Sequence, residues 1–183
     1  MLDIHKMIQV VNHVIDRYEG TINYTKLIKE LYLADKKCLL KHGYSISENQ
    51  FVCMKFGPVL EDLYQLIRQQ YPDKAVQAVW DSYYYTSSRD LIRVSGNRLP
   101  EDRLSANEIT VLDEVDGEYH SWGYSALIDL VHNRAVCPET INTDSSIPLS
   151  YSTVMAKAGV SAEDIAAWES DESLQDSLDR IFA

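Results

Sequence analysis

The chain is poor in the features that announce several protein classes. It has no apolar run approaching the roughly 18 to 20 residues of a membrane helix, and its start, "MLDIHKMIQVVNHVIDRYEG", carries Asp3, His5 and Asp16 where a signal peptide would be apolar. A cytoplasmic protein is expected. The three cysteines, Cys38, Cys53 and Cys137, are odd in number and far apart, which argues against a disulfide framework and for reduced thiols. Basic residues are also short: 17 against 28 acids leaves a net charge of -11, a poor match for a surface that wraps phosphate backbone. With seven glycines there is no phosphate-binding loop, since Gly57 stands alone and no GK[ST] follows it.

What remains is a globular chain of 183 residues, enough for one core, with 45% apolar residues. Apolar residues at Ile4, Met7, Ile8, Val11, Val14 and Ile15 have helical spacing over Leu2 to Tyr18. A second helix, in "TINYTKLIKELYLADKKCLLKHG", puts Leu27, Leu31, Ala34 and Cys38 on one stripe and stops at Gly43; its length marks it as central. "FVCMKF" reads as a short strand, with Gly57-Pro58 as an elbow that opens a third helix from Pro58 to about Gln70, proline being favoured in a first helical turn.

From Ala75 to Pro100 the β-branched and aromatic residues suggest a hairpin divided at "TSSRD". Ser105 and Glu108 have capping-box spacing at the head of a further helix, and Ser125 is a candidate N-cap for the next. Two helical segments follow the polar connection after Cys137-Pro138, and Ser161 with Asp164 again resembles a capping box. Residues 141–183 hold eight acids and two bases. The expected fold is mainly α with a small β-hairpin, residues 1–140 forming a compact helical domain and 141–183 an acidic helical extension packed on it.

Chemistry-bearing clusters are sparse. Cys38 with His42, and His132 with Cys137, are spaced as weak metal pairs, but no CxxC, HxH or HExxH accompanies them. No GxSxG elbow or Cys-centred signature is present, and His120 and His132 stand as lone histidines. No metal, cofactor or catalytic residue is expected. Lys26, Lys29, Lys36, Lys37 and Lys41 on the second helix form either a basic strip for DNA or simply the solvated side of an amphipathic helix, the latter being favoured. Twelve tyrosines against three phenylalanines is a skewed ratio. Trp80, Tyr83, Tyr84 and Tyr85 crowd one hairpin strand and, with Trp122 and Tyr124, are the candidate protein-binding residues.

The chain resembles the Panacea domain, the SocA-like antitoxin family of bacteria and phages, which includes GepA-type phage-associated proteins. Lys26, Leu27, Lys29, Leu31, Tyr32, Ala34 and Asp35 match its K-L-x-K-L-x-Y-x-A-D helix, and Phe56, Gly57, Pro58 and Val59 its Y-G-P-V elbow. Leu104-Ser105, Glu108, Val111 to Asp113, Val115, Ser125 and His132 fit the later helices. The chain departs from the pattern at Phe56, where tyrosine is usual, and at Cys137-Pro138, where a tryptophan often follows the helix histidine. The resemblance implies a binding module and not an enzyme: an antitoxin that neutralises a cognate toxin by direct contact, with delivery of that toxin to a ClpXP-type protease as a further role, in phage or prophage settings. The alternative reading is a DNA-associated regulator of a phage or toxin-antitoxin operon, with a metal-dependent enzyme behind it.

Overall fold

A computed structural model describes residues 2–96 and 100–182, with the backbone alone at several positions near the end of the last helix. Asn97 to Leu99, in the segment read as a hairpin, lie outside the described residues. Among the described residues there are eight α-helices and two three-stranded antiparallel sheets. The fold is therefore mainly α with minor β. No described helix is long and apolar enough to cross a membrane.

Helix α1 (Ile4–Ile15) starts where the Asp3 carboxylate accepts from the His5 and Lys6 N–H groups, and a 3-10 turn, Asp16–Tyr18, extends it. Strand β1 (Thr21–Asn23) leads into helix α2 (Tyr24–His42), which Asn23 caps at its head. Gly43, at φ 82°, ends α2 in the left-handed conformation that glycine adopts without penalty. Helix α2 packs against α5 (Ala106–Tyr119), α6 (Tyr124–His132), α7 (Tyr151–Lys157) and strand β3 (Gly57–Leu60). It is the central helix, as its length suggested.

The Gly-Pro stretch differs from the expected elbow. Strand β2 (Phe51–Met54) turns through Lys55 and Phe56 into β3, pairing Met54 with Gly57 and Cys53 with Pro58. Pro58 thus lies in a strand, and helix α3 (Glu61–Ile67) begins three residues after it. Proline suits both positions: β3 is an edge strand in the order β3-β2-β6, where a missing N–H does no harm. The start of α3 is capped from elsewhere in the chain, since Asn49 Oδ1 accepts from Asp62 N–H at 2.9 Å. Strand β6 (Ile147–Leu149) completes this sheet on the other side of β2.

The aromatic segment also divides differently. Asp73 caps helix α4 (Lys74–Tyr83), so Trp80 and Tyr83 are helical, and the hairpin is β4 (Tyr84–Ser87) with β5 (Asp90–Arg93). Strand β5 pairs on its other edge with β1. Helix α5 carries the expected reciprocal capping box of Ser105 and Glu108. Helix α6 is headed by Gly123 with no side-chain cap, which displaces Ser125 into the helix. In helix α8 (Ala162–Phe182) the Trp168 indole donates to Gly43 O at 2.6 Å and packs edge-on against Tyr151.

Candidate functional site

The polar residues of α2 are the unusual part of the core. Lys26, Lys29, Glu30, Asp35 and Lys36 are all buried, and each holds a different piece of chain, Glu30 by accepting from the Tyr18 hydroxyl at 3.0 Å. Lys26 Nζ donates to the Tyr119 and His120 carbonyls, tying down the connection between α5 and α6. Lys29 Nζ donates to Pro58 O at 2.8 Å, on strand β3. Asp35 accepts from the N–H and hydroxyl of Ser47, fixing the loop before β2. Lys36 pairs with Glu139 at 2.8 Å and donates to Val136 O at 2.7 Å, while the Tyr32 hydroxyl donates to the same Glu139 carboxylate.

Each bond satisfies a buried group that would otherwise cost about 1–3 kcal/mol, so the set fixes the arrangement of loops round the helix. The five lysines form no basic strip, and only Lys37 and Lys41 lie on a solvated side of the helix. Lys26, Lys29 and Lys36 are inside, and Lys37 and Lys41 are held by Glu114 and Glu118 of α5. The support that these residues lent to a DNA-binding reading is removed.

Burial also sets their acidity. The Lys29 ammonium is pulled down to about 7, chiefly by desolvation. Desolvation pushes the Glu30 carboxyl up to about 7 against the pull of nearby Lys26, and Asp35 up to about 6 against the Ser47 hydrogen bonds. Burial likewise raises the thiols of Cys38 and Cys137 to about 11, the protonated and unreactive state.

Gly57 explains why a glycine and a histidine far apart in sequence belong together. It lies at φ 89°, and a Cβ there would meet Val131 Cγ2 at 2.6 Å and His132 Cε1 at 3.2 Å. Helix α6 therefore closes directly on the hairpin backbone, with His132 Nδ1 bonded to Ile128 O at 2.8 Å. Leu27, Leu31 and Val59 complete this inner set as buried apolar residues.

The aromatic candidates separate into two groups. Trp80 and Tyr84 are core residues, their rings 4.5 Å apart, with the Tyr84 hydroxyl donating to Ile8 O and Asn12 Oδ1. Neither can be part of an exposed aromatic surface, and Tyr83 is partly buried beside them. Tyr85, Trp122 and Tyr124 are exposed by 50%, 39% and 40%. Phe56, at the tip of the β2–β3 turn, is more exposed still at 59%. The sequence presented it only as a family marker.

Phe56 and Tyr124 both border a cleft of about 620 Å³ between the first turn of α2, the β2–β3 hairpin, α3 and α6. Ile28, Val59 and Tyr64 give it apolar walls, Lys29 lines it from α2, and Arg68 and Arg89 reach it from separate loops. Arg89 Nη1 lies 3.4 Å from the Tyr124 hydroxyl. The arginines carried no sequence signal, because only the fold brings these segments together.

Fold and site together define a helical domain built round one helix with a polar, loop-binding interior and an open cleft beside its first turn. Residues 27–136 match the family described as antitoxin SocA-like, Panacea domain, and the chain belongs to that family. Comparison with curated proteins and with solved structures found no match. Family membership carries a general antitoxin-like role.

Proposed function

We propose that this protein neutralises a cognate toxin protein by direct, stoichiometric contact in the cytoplasm, and not by catalysing a reaction. The observation that carries the reading is membership of the SocA-like antitoxin family, matched over residues 27–136. Exposed Phe56, Trp122 and Tyr124 support it, since amphipathic aromatic side chains are the usual anchors of protein interfaces. In this reading the α2 network is scaffold: it holds the hairpin, α6 and the following loop in one rigid arrangement, so that the binding surface is formed before the toxin arrives. Delivery of the bound toxin to a ClpXP-type protease is the further role that the family resemblance brings, and a phage or prophage is the expected setting.

Co-expression with the product of the adjacent gene tests the proposal. That product alone should arrest growth, and this protein should restore growth while forming a complex that survives purification. If the product is harmless alone, or still arrests growth beside soluble, folded protein, the reading falls. Protease delivery has its own readout: the toxin's half-life should shorten with this protein present, and only in cells that contain the protease.

A further inference from the structure

We infer that the cleft beside the first turn of α2 is the seat of an acidic segment of the partner protein, whose Asp or Glu side chains meet Arg68 and Arg89 while a neighbouring apolar or aromatic side chain enters between Ile28, Val59 and Tyr64. For the partner's identity the inference rests on the toxin-binding reading. The chemistry of the site rests on the charges themselves.

The charge balance of the cleft is opposite to that of the whole protein. Arg68 and Arg89 reach it from the end of α3 and the β4–β5 turn, while Lys55, on the β2–β3 turn, pairs with Asp144, the acid among the described lining residues, at 3.4 Å. Lys29 is buried against Pro58 O, so the two arginines are the uncompensated charges. This sits on a chain with net charge -11. An acidic partner segment is repelled by most of the surface and attracted here, which gives both specificity and a faster encounter.

Arg68 and Arg89 also lack a carboxylate partner among the described residues, whereas Arg17, Arg93 and Arg103 each hold an aspartate of the same chain. Arg134, on the exposed loop after α6, is likewise unpaired but lies outside the cleft. Guanidinium groups recognise carboxylates through two parallel hydrogen bonds, so two free arginines at one opening suit a carboxylate-bearing chain. Exposed Phe56 and Tyr124 at the rim favour a protein segment over a small anion, because such rings gain affinity by excluding water round a charged contact.

The test uses the purified full chain and a labelled random copolymer of glutamate and tyrosine, with a lysine–tyrosine copolymer and an oligo(dT) strand as controls. Fluorescence anisotropy should show binding of the acidic copolymer that weakens as salt rises. The lysine copolymer, drawn to the chain's net charge of -11, should bind the double variant below at least as well as wild type. The double variant Arg68→Glu/Arg89→Glu, both positions exposed and free of internal ion pairs, should keep the wild-type circular dichroism and lose at least about tenfold in affinity. Arg134→Glu should bind as wild type does. Failure of the acidic copolymer to bind, tighter binding of oligo(dT), or a double variant that binds the acidic copolymer within twofold of wild type would each overturn the inference. Repeating the growth assay with the double variant separates this result from the antitoxin reading. Full rescue by a variant that has lost the copolymer removes the cleft and leaves the antitoxin; copolymer binding without any neutralised neighbour does the reverse.

Discussion

Replacing Lys29 by methionine should make the protein more stable at neutral pH, although Lys29 is one of the residues that mark the family pattern. Burial lowers its ammonium from 10.5 to about 7. At about 1.4 kcal/mol per pH unit, the charged form costs the folded state roughly 5 kcal/mol below pH 7. Methionine fills similar space without that cost but leaves Pro58 O without the 2.8 Å bond, a loss of about 1–3 kcal/mol. The balance favours Lys29→Met by about 2–4 kcal/mol at pH 7. The pH dependence follows from the folded value lying below the unfolded one. Between pH 7 and 10.5 the unfolded chain holds a proton that the folded chain has lost, so wild-type stability rises across this window. Above it lysine is neutral in both states, the variant's advantage is gone, and wild type leads by the value of its hydrogen bond. Urea unfolding of both proteins at about pH 7, 8.5 and 10 measures the difference, in which other titrating groups cancel. A variant clearly less stable at pH 7, or a difference that does not change with pH, would refute the reasoning.

Further outcomes follow from the same geometry. Gly57→Ala combines a left-handed backbone with a contact at 2.6 Å to Val131, and should cost about 2–4 kcal/mol, read as a lowered melting temperature. Lys36→Met strands the fully buried Glu139 carboxylate and should cost about 3–5 kcal/mol, while Lys36→Met/Glu139→Met should recover most of that loss in a double-mutant cycle. The Glu30 carboxyl is raised to about 7 in the folded state, which therefore holds a proton between pH 4.5 and 7 that the unfolded chain has released. Wild type should accordingly lose about 3 kcal/mol relative to Glu30→Gln as pH rises through that window, read as the difference between paired urea titrations, in which the similar contribution of Asp35 cancels.

The long helices were legible because their signals are local. Gly43 closes α2 and Ser105 with Glu108 heads α5, each within a few residues of the end it fixes, and α1 shows in its apolar spacing. Gly57-Pro58 reads equally as an elbow because proline fits an edge strand as well as a first helical turn, and the cap of α3 comes from Asn49, twelve residues before that helix begins. Trp80 to Tyr85 has strand composition, yet Asp73 starts a helix that includes Trp80 and Tyr83, burying Trp80, and leaves Tyr84 and Tyr85 to the strand. The buried lysines were the least legible part. Their partners, Pro58 O, His120 O and Glu139, lie 29, 94 and 103 residues away, and an amphipathic pattern has no means of showing a helix enclosed on nearly every side. The cleft was hidden for the same reason, its arginines coming from loops without a common motif.

The most direct test of the central claim is the interaction itself, measured by titrating purified protein into the purified product of the adjacent gene while the growth of cells carrying both is followed. The two proteins should form a stoichiometric complex, and rescue of growth should disappear together with binding when the contact surface is altered. Rescue without any complex, or a complex that leaves the toxin fully active, would contradict it.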